Sequence, residues 1–122
     1  MNVDRPSDAA PLDLASLREV FEDDAAGLIE FVDDALPEIA ASLERLAGAA
    51  QARDAATAAS VAHALKGAAG TIGARSIATP MQRVEDAVRS REWDLVVTET
   101  DTARAALTIV VRWVERRKAD AS

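Results

Sequence analysis

The sequence predicts an all-α protein, an up-down four-helix bundle with a short additional N-terminal helix. Three observations carry that reading. Apolar residues recur at steps of three and four over long stretches, as in helices that bury one face. No stretch alternates with the period of two that marks a half-buried strand. The breaks between the stretches are short, which places consecutive helices side by side in antiparallel order.

Residues 1–11 carry two prolines and no periodicity, and read as a flexible N-terminal tail. The bundle is expected over 12–117, with 118–122 as a flexible C-terminal tail. A short helix from about Asp13 to Phe21 has Leu14, Leu17 and Phe21 in step, with Asp13 as its cap. The next runs from about Asp24 to Ala50, with Leu28, Val32, Leu36, Ile39, Leu43 and Leu46 inward; Pro37 removes one amide from its ladder and is expected to kink it. Asp54 caps a third helix that ends near Gly73, a candidate left-handed C-terminal residue. Thr79-Pro80-Met81-Gln82 reads as an N-cap, a proline at the first helical position and a capping-box glutamine, so the fourth helix is expected over about Thr79 to Arg89. Residues 75–78 then form a separate turn or kink. A fifth helix spans about Trp93 to Arg117, with Val96, Ala103, Leu107, Val110 and Val114 inward.

Composition narrows the function. The 122 residues suffice for one domain with a working core. Hydrophobic residues make up 49% but aromatics only 3%, so that core is expected to be aliphatic on closely packed helices. The formal net charge of −7 argues against nucleic acid and against an anionic membrane surface. There is no cysteine, hence no disulfide framework or thiol chemistry. No apolar run approaches the roughly 18 residues of a membrane span, and Met1 to Asp8 holds no apolar signal core. A cytoplasmic protein, a monomer, is the expectation.

The segment His63-Ala-Leu-Lys66-Gly67-Ala-Ala-Gly70-Thr-Ile-Gly73 sets the only histidine among three of the five glycines. Each glycine in a helix interior costs roughly 0.5–1 kcal/mol relative to alanine. At about 100° per residue, Val61, Leu65, Ala68 and Ile72 form the expected buried stripe, and His63 points about 200° away from Val61 and Leu65. Lys66 and Gly67 lie one turn on, Gly70 two turns on, along that outer face. A surface histidine, a surface lysine and a small helix residue are each ordinary. Packing glycines belong on a buried stripe, however, and these lie on the histidine face, as a docking site around a nucleophile requires.

The pattern His63-x-Leu65-Lys66-Gly67-x-Ala69-Gly70-Thr71-Ile72-Gly73-Ala74 closely resembles the signature of histidine-containing phosphotransfer domains, the helical carriers of two-component phosphorelays. The likeness extends to Leu12–Leu17, to the 31–46 segment with Pro37, and to Val84–Arg89 followed by Trp93-Asp94, roughly residues 12–116 in all. It implies that His63 accepts a phosphoryl group from a receiver-domain aspartyl phosphate and passes it to another receiver aspartate. Lys66 would balance charge on the phosphoryl oxygens. Gly67, Gly70, Ala59 and Ala62 would form the partner-docking surface. Family members commonly place Gln or Glu twenty-two residues after the histidine, here Glu85, to orient the imidazole. Arg89, at i+4 from it, would hold Glu85 or the phosphoryl oxygens; the pair also reads as an ordinary helix-surface ion pair. The implied partners are response-regulator receivers and a sensor histidine kinase, plain or hybrid. The receiver, not this chain, supplies Mg²⁺, and no cofactor is expected here.

The residues support a carrier rather than an autonomous enzyme. There is no phosphate-binding glycine loop for ATP. One histidine, no cysteine, and Ser60 where a bundle metal site would need Glu leave too few ligands for a metal. Two alternatives stay open: the phosphorylatable helical domain of a chemotaxis-type kinase, toward which Glu85 leans, and an interaction module that carries no phosphate.

Overall fold

The computed structural model describes residues 10–121, and all of its regular structure is helical. Helix α1 spans Ala15–Phe21, α2 Ala25–Ala52, α3 Ala55–Thr71, α4 Arg75–Arg89 and α5 Trp93–Ala121. Aspartates start two of them as expected: Asp24 accepts from the Gly27 amide at 2.9 Å and Asp54 from the Thr57 amide at 3.1 Å. At α1 the expected cap is not formed: the N-cap position is Leu14, which makes no side-chain bond, and the Asp13 carboxylate one residue earlier accepts from Ala15 N at 3.2 Å. Helix α2 continues through Pro37, whose ring sits on the exposed side.

Helices α2 to α5 pack in a ring, α2 on α3, α3 on α4, α4 on α5 and α5 back on α2, while α1 packs on α2. Connections of two or three residues between successive helices make the order up-down. The six inward residues expected for α2 are all buried, with Val32 and Leu46 fully so. From the other helices, Leu65, Ile77, Met81, Val84, Val96, Val110 and Val114 complete an aliphatic core. Helices α2 and α5, of 28 and 29 residues, outrun the 17-residue α3 by about 17–18 Å at 1.5 Å per residue. Helix α1 packs on the α2 part of that overhang, and Leu12, Leu14 and Leu17 are buried there.

Several expectations are corrected. The buried stripe of α3 is Ala58, Ala62, Leu65, Ala69 and Ile72; Val61 is half-buried and Ala68 exposed. Alanines at both 68 and 69 left the rotation of that face undetermined, and packing against α2 and α4 chose the second. On α5, Leu107 is half-buried, and Thr100, Ala106 and Trp113 turn inward with Val96, Ala103, Val110 and Val114. The helix also continues past residue 117 through Ala121, where a tail was expected, and Lys118 reaches Asp33 of α2 at 2.9 Å. Of the expected N-terminal tail, residues 1–9 lie outside the described residues.

The largest correction concerns α4, which starts at Arg75 and runs unbroken through Pro80. Thr79 is not a cap, and residues 75–78 are the first turn of the helix. A proline inside a helix costs about 3 kcal/mol. In compensation the regular helix sets Ile77, Pro80, Met81, Val84, Ala87 and Val88 on one buried face, and burial of an isoleucine alone contributes about 1.5–3 kcal/mol. The carbonyl that Pro80 leaves without a donor belongs to Ser76, an exposed residue whose backbone water can reach.

The turn before α4 is as expected. Gly73 has φ +74°, its amide donates to Gly70 O at 3.0 Å, and Ala74 N donates to Ala69 O at 2.8 Å, the paired bonds of a Schellman stop. A Cβ on Gly73 would come within 2.2 Å of Asp13 O, because Asp13 N donates to Gly73 O at 2.8 Å and pins the chain against the turn.

Candidate functional site

The tight α3–α4 turn fixes what stands opposite what. In an antiparallel pair joined at residue 74, positions equally far from 74 lie at the same height. Residues 63 and 85 are each eleven away, and 66 and 82 each eight. The contacts follow: His63 Nδ1 lies 3.3 Å from Glu85 Oε2, and Lys66 Nζ donates to Gln82 Oε1 at 2.8 Å. The spacing of twenty-two residues noted in the sequence is thus a consequence of the hairpin register.

His63 stands midway along α3 with its side chain 74% exposed, whereas the Glu85 side chain beside it is 16% exposed. Lys66 places its ammonium 2.6 Å from Glu85 Oε1, an oxygen buried from solvent. Burial pushes the Glu85 carboxyl upward, but hydrogen bonds and charge from Lys66 and His63 outweigh it and hold the group below the ordinary carboxylate range. Glu85 is therefore ionised at neutral pH. An ionised carboxylate only accepts, so the His63 proton belongs on Nδ1 and the Nε2 lone pair is left for a reaction.

Two residues that the sequence reading did not assign to the site join it. Gln82, expected as a cap, instead spans Lys66 and Asp86, to whose Oδ1 its amide nitrogen donates at 3.2 Å. Asp86 is also the partner of Arg89. The register rule that pairs His63 with Glu85 also pairs Lys66 with Gln82, so this signal was present in the sequence. Arg89 does not hold Glu85 as expected. It sits one turn beyond, and its ion pair goes to Asp86, three residues back on the same helix.

The docking residues divide. Gly67 and Gly70 are exposed, and a Cβ built on either meets nothing within 4 Å. Ala59 is half-buried against the core. Ala62 is fully buried and cannot form part of a contact surface, since it belongs to the stripe that faces the bundle interior. The surface around His63 is therefore bare helix backbone at Gly67 and Gly70, flanked on α4 by a charged and amide-bearing edge. Among the described residues no group of three or more His, Asp or Glu is arranged to hold a metal.

An exposed histidine, a lysine three residues on, a carboxylate from the next helix and bare backbone beyond define a phosphotransfer helix pair. The Hpt domain family model matches residues 16–113, and the chain belongs to that family. It is a histidine phosphotransfer module of two-component signalling. No curated protein and no solved structure matches it. Among the described residues no helix is long and apolar enough to cross a membrane.

Proposed function

We propose that His63 accepts a phosphoryl group from a receiver-domain aspartyl phosphate and hands it to a second receiver, as the intermediate of a multistep phosphorelay. The His63–Glu85 contact carries this reading, because it leaves an exposed imidazole with its free nitrogen outward. In the forward step the Nε2 lone pair forms a bond to phosphorus as the acyl-phosphate P–O bond breaks, and that bond's electrons stay on the partner's carboxylate. The ring then carries the Nδ1 proton and a phosphoryl group together, and so a positive charge. Glu85 offsets that charge, and Lys66 offsets the negative charge of the phosphoryl oxygens. Onward transfer is the same step reversed, with neutral imidazole leaving. Mg²⁺ belongs to the receiver, and the upstream donor is a sensor histidine kinase, plain or hybrid.

A second reading rests on Glu85: a carboxylate at this position also suits the phosphorylatable domain of a chemotaxis-type kinase, whose donor is an ATP-binding domain. One experiment separates the two. The protein is incubated with radiolabelled phosphorylated receivers and, separately, with kinase ATP-binding domains and labelled ATP. Labelling by a receiver, acid-labile, alkali-stable and lost in His63→Gln, supports the relay. Labelling by the kinase domain alone supports the second reading, and label retained by His63→Gln rules out both.

A further inference from the structure

An ammonium has three N–H donors. On Lys66 the ammonium pairs with the Glu85 carboxylate, 2.6 Å from its Oε1, and donates to Gln82 Oε1 at 2.8 Å. Gln82 is itself constrained, since its amide nitrogen donates to Asp86 Oδ1 at 3.2 Å and Asp86 pairs with Arg89. An ammonium only donates and a carboxylate only accepts, so one orientation of the Gln82 amide satisfies both neighbours: oxygen to Lys66, nitrogen to Asp86. The flipped amide would face N–H against the ammonium and C=O against the carboxylate. Partners on both sides therefore hold Gln82 in a single state.

We propose that Gln82, braced by Asp86 and Arg89, is a positioning residue that fixes the Lys66 ammonium beside His63, leaving its third N–H for the phosphoryl group on Nε2. The proposal rests on phosphotransfer at His63. To that reading it adds a residue that touches neither the imidazole nor the phosphoryl group and acts through Lys66.

The physical need is plain. A lysine side chain has up to about 2 kcal/mol of rotamer freedom to lose, and a single tether at Glu85 lets the ammonium swing about that one oxygen. With two tethers on the same helix, one turn apart, the nitrogen has a defined place. The Gln82 tether contributes little to stability, because Gln82 is exposed and the long lysine side chain gives up entropy to make the contact. Its effect belongs in the rate, where a misplacement of about 1 Å can cost about 10²-fold.

The test uses phosphoramidate, a small donor that requires no partner protein. Its P–N bond breaks as the Nε2–P bond forms, and ammonia leaves with the electron pair. Rates of phosphohistidine formation, followed by phosphorus NMR, are compared for wild type, Gln82→Leu, Lys66→Ala and the double variant, with Gln82→Met as a second polar-to-apolar change should the leucine disturb the fold. Gln82→Leu is expected to slow phosphorylation about tenfold at unchanged melting temperature. In the Lys66→Ala background it is expected to add nothing, since its partner is already gone. A Gln82 variant as fast as wild type overturns the proposal. So does a slowing of equal size in both backgrounds, which would mean Gln82 acts without Lys66. Wild type that phosphoramidate phosphorylates on His63 but no receiver does would fail the relay reading and leave the Gln82 comparison intact. Wild type that phosphoramidate leaves unmodified at His63 overturns both.

Discussion

At the scale of single residues, three side chains divide the chemistry by what each can donate or accept. In the proposed transfer Glu85 sets the His63 tautomer and Lys66 supplies positive charge. Lys66→Ala is expected to slow phosphoryl transfer and to lower the melting temperature by no more than the loss of its ion pair with Glu85, about 1 kcal/mol or less, because lysine and alanine differ little in helix propensity; parallel transfer assays and thermal melts check both halves. Glu85 also gives the fold a pH dependence of known sign. Its folded-state carboxyl is held below its ordinary range, so its contribution to stability is present above that range and is lost as pH falls through the lowered value. Glu85→Gln is therefore expected to be less stable than wild type near pH 7, by a few degrees for an ion pair worth about 1 kcal/mol or less. The gap should close as pH falls below the ordinary carboxylate range and the wild-type carboxyl is protonated. Melting curves from pH 3 to 7 decide it, and a gap that widens on acidification would contradict the assignment.

At the scale of elements, the α3–α4 hairpin sets the site. Gly67 lies in regular helix with open space where a Cβ would go. Gly67→Gln is thus expected to keep or raise stability, by up to about 1 kcal/mol, while raising a side chain one turn from His63 where a partner must approach. Its transfer from a phosphorylated receiver should fall at an undiminished melting temperature. Normal transfer would remove the docking role from this glycine. Gly73 behaves oppositely. Its φ is +74°, and a Cβ there would lie 2.2 Å from the Asp13 carbonyl oxygen, which leaves no room for a side chain. Gly73→Ala is therefore expected to cost about 2–4 kcal/mol in denaturant unfolding. The transfer rate should fall with it, because the register that sets His63 opposite Glu85 depends on this turn. The helices were legible element by element, since caps, glycine stop and periodicity agreed. The start of α4 was not: Pro80 is a strong local signal for a helix start, and the burial of Ile77 and its neighbours overrode it.

At the scale of the molecule, the bundle separates two tasks. The overhanging end of α2 packs against α1, where Leu12, Leu14 and Leu17 are buried. The shorter α3 and α4 present the histidine and its charged edge to solvent. Because the sequence holds no phosphate-binding glycine loop, wild type with Mg²⁺ and ATP alone is expected to stay unlabelled; phosphohistidine formed under those conditions would reveal a donor site within this chain.

Local signals were enough for the all-helical class, the bundle order and the exposure of His63, because these follow from periodicity and short connections, and the family was legible from the resemblance of the motif over His63 to Ala74. They also placed Lys66 and Gly67 beside the histidine, one turn being a local distance. Packing between helices was needed to set the depth of burial, turning Ala62 into core and Ala68 to solvent, since neighbouring alanines give periodicity no contrast and the adjoining helices select the face. Packing likewise chose which side chains meet across the hairpin, Glu85 with His63 and Lys66 and Gln82 with Lys66, while within α4 Arg89 pairs with Asp86 instead of Glu85. Those pairings depend on where α4 begins, and its start was settled by the burial of residues that sequence spacing cannot weigh against a proline.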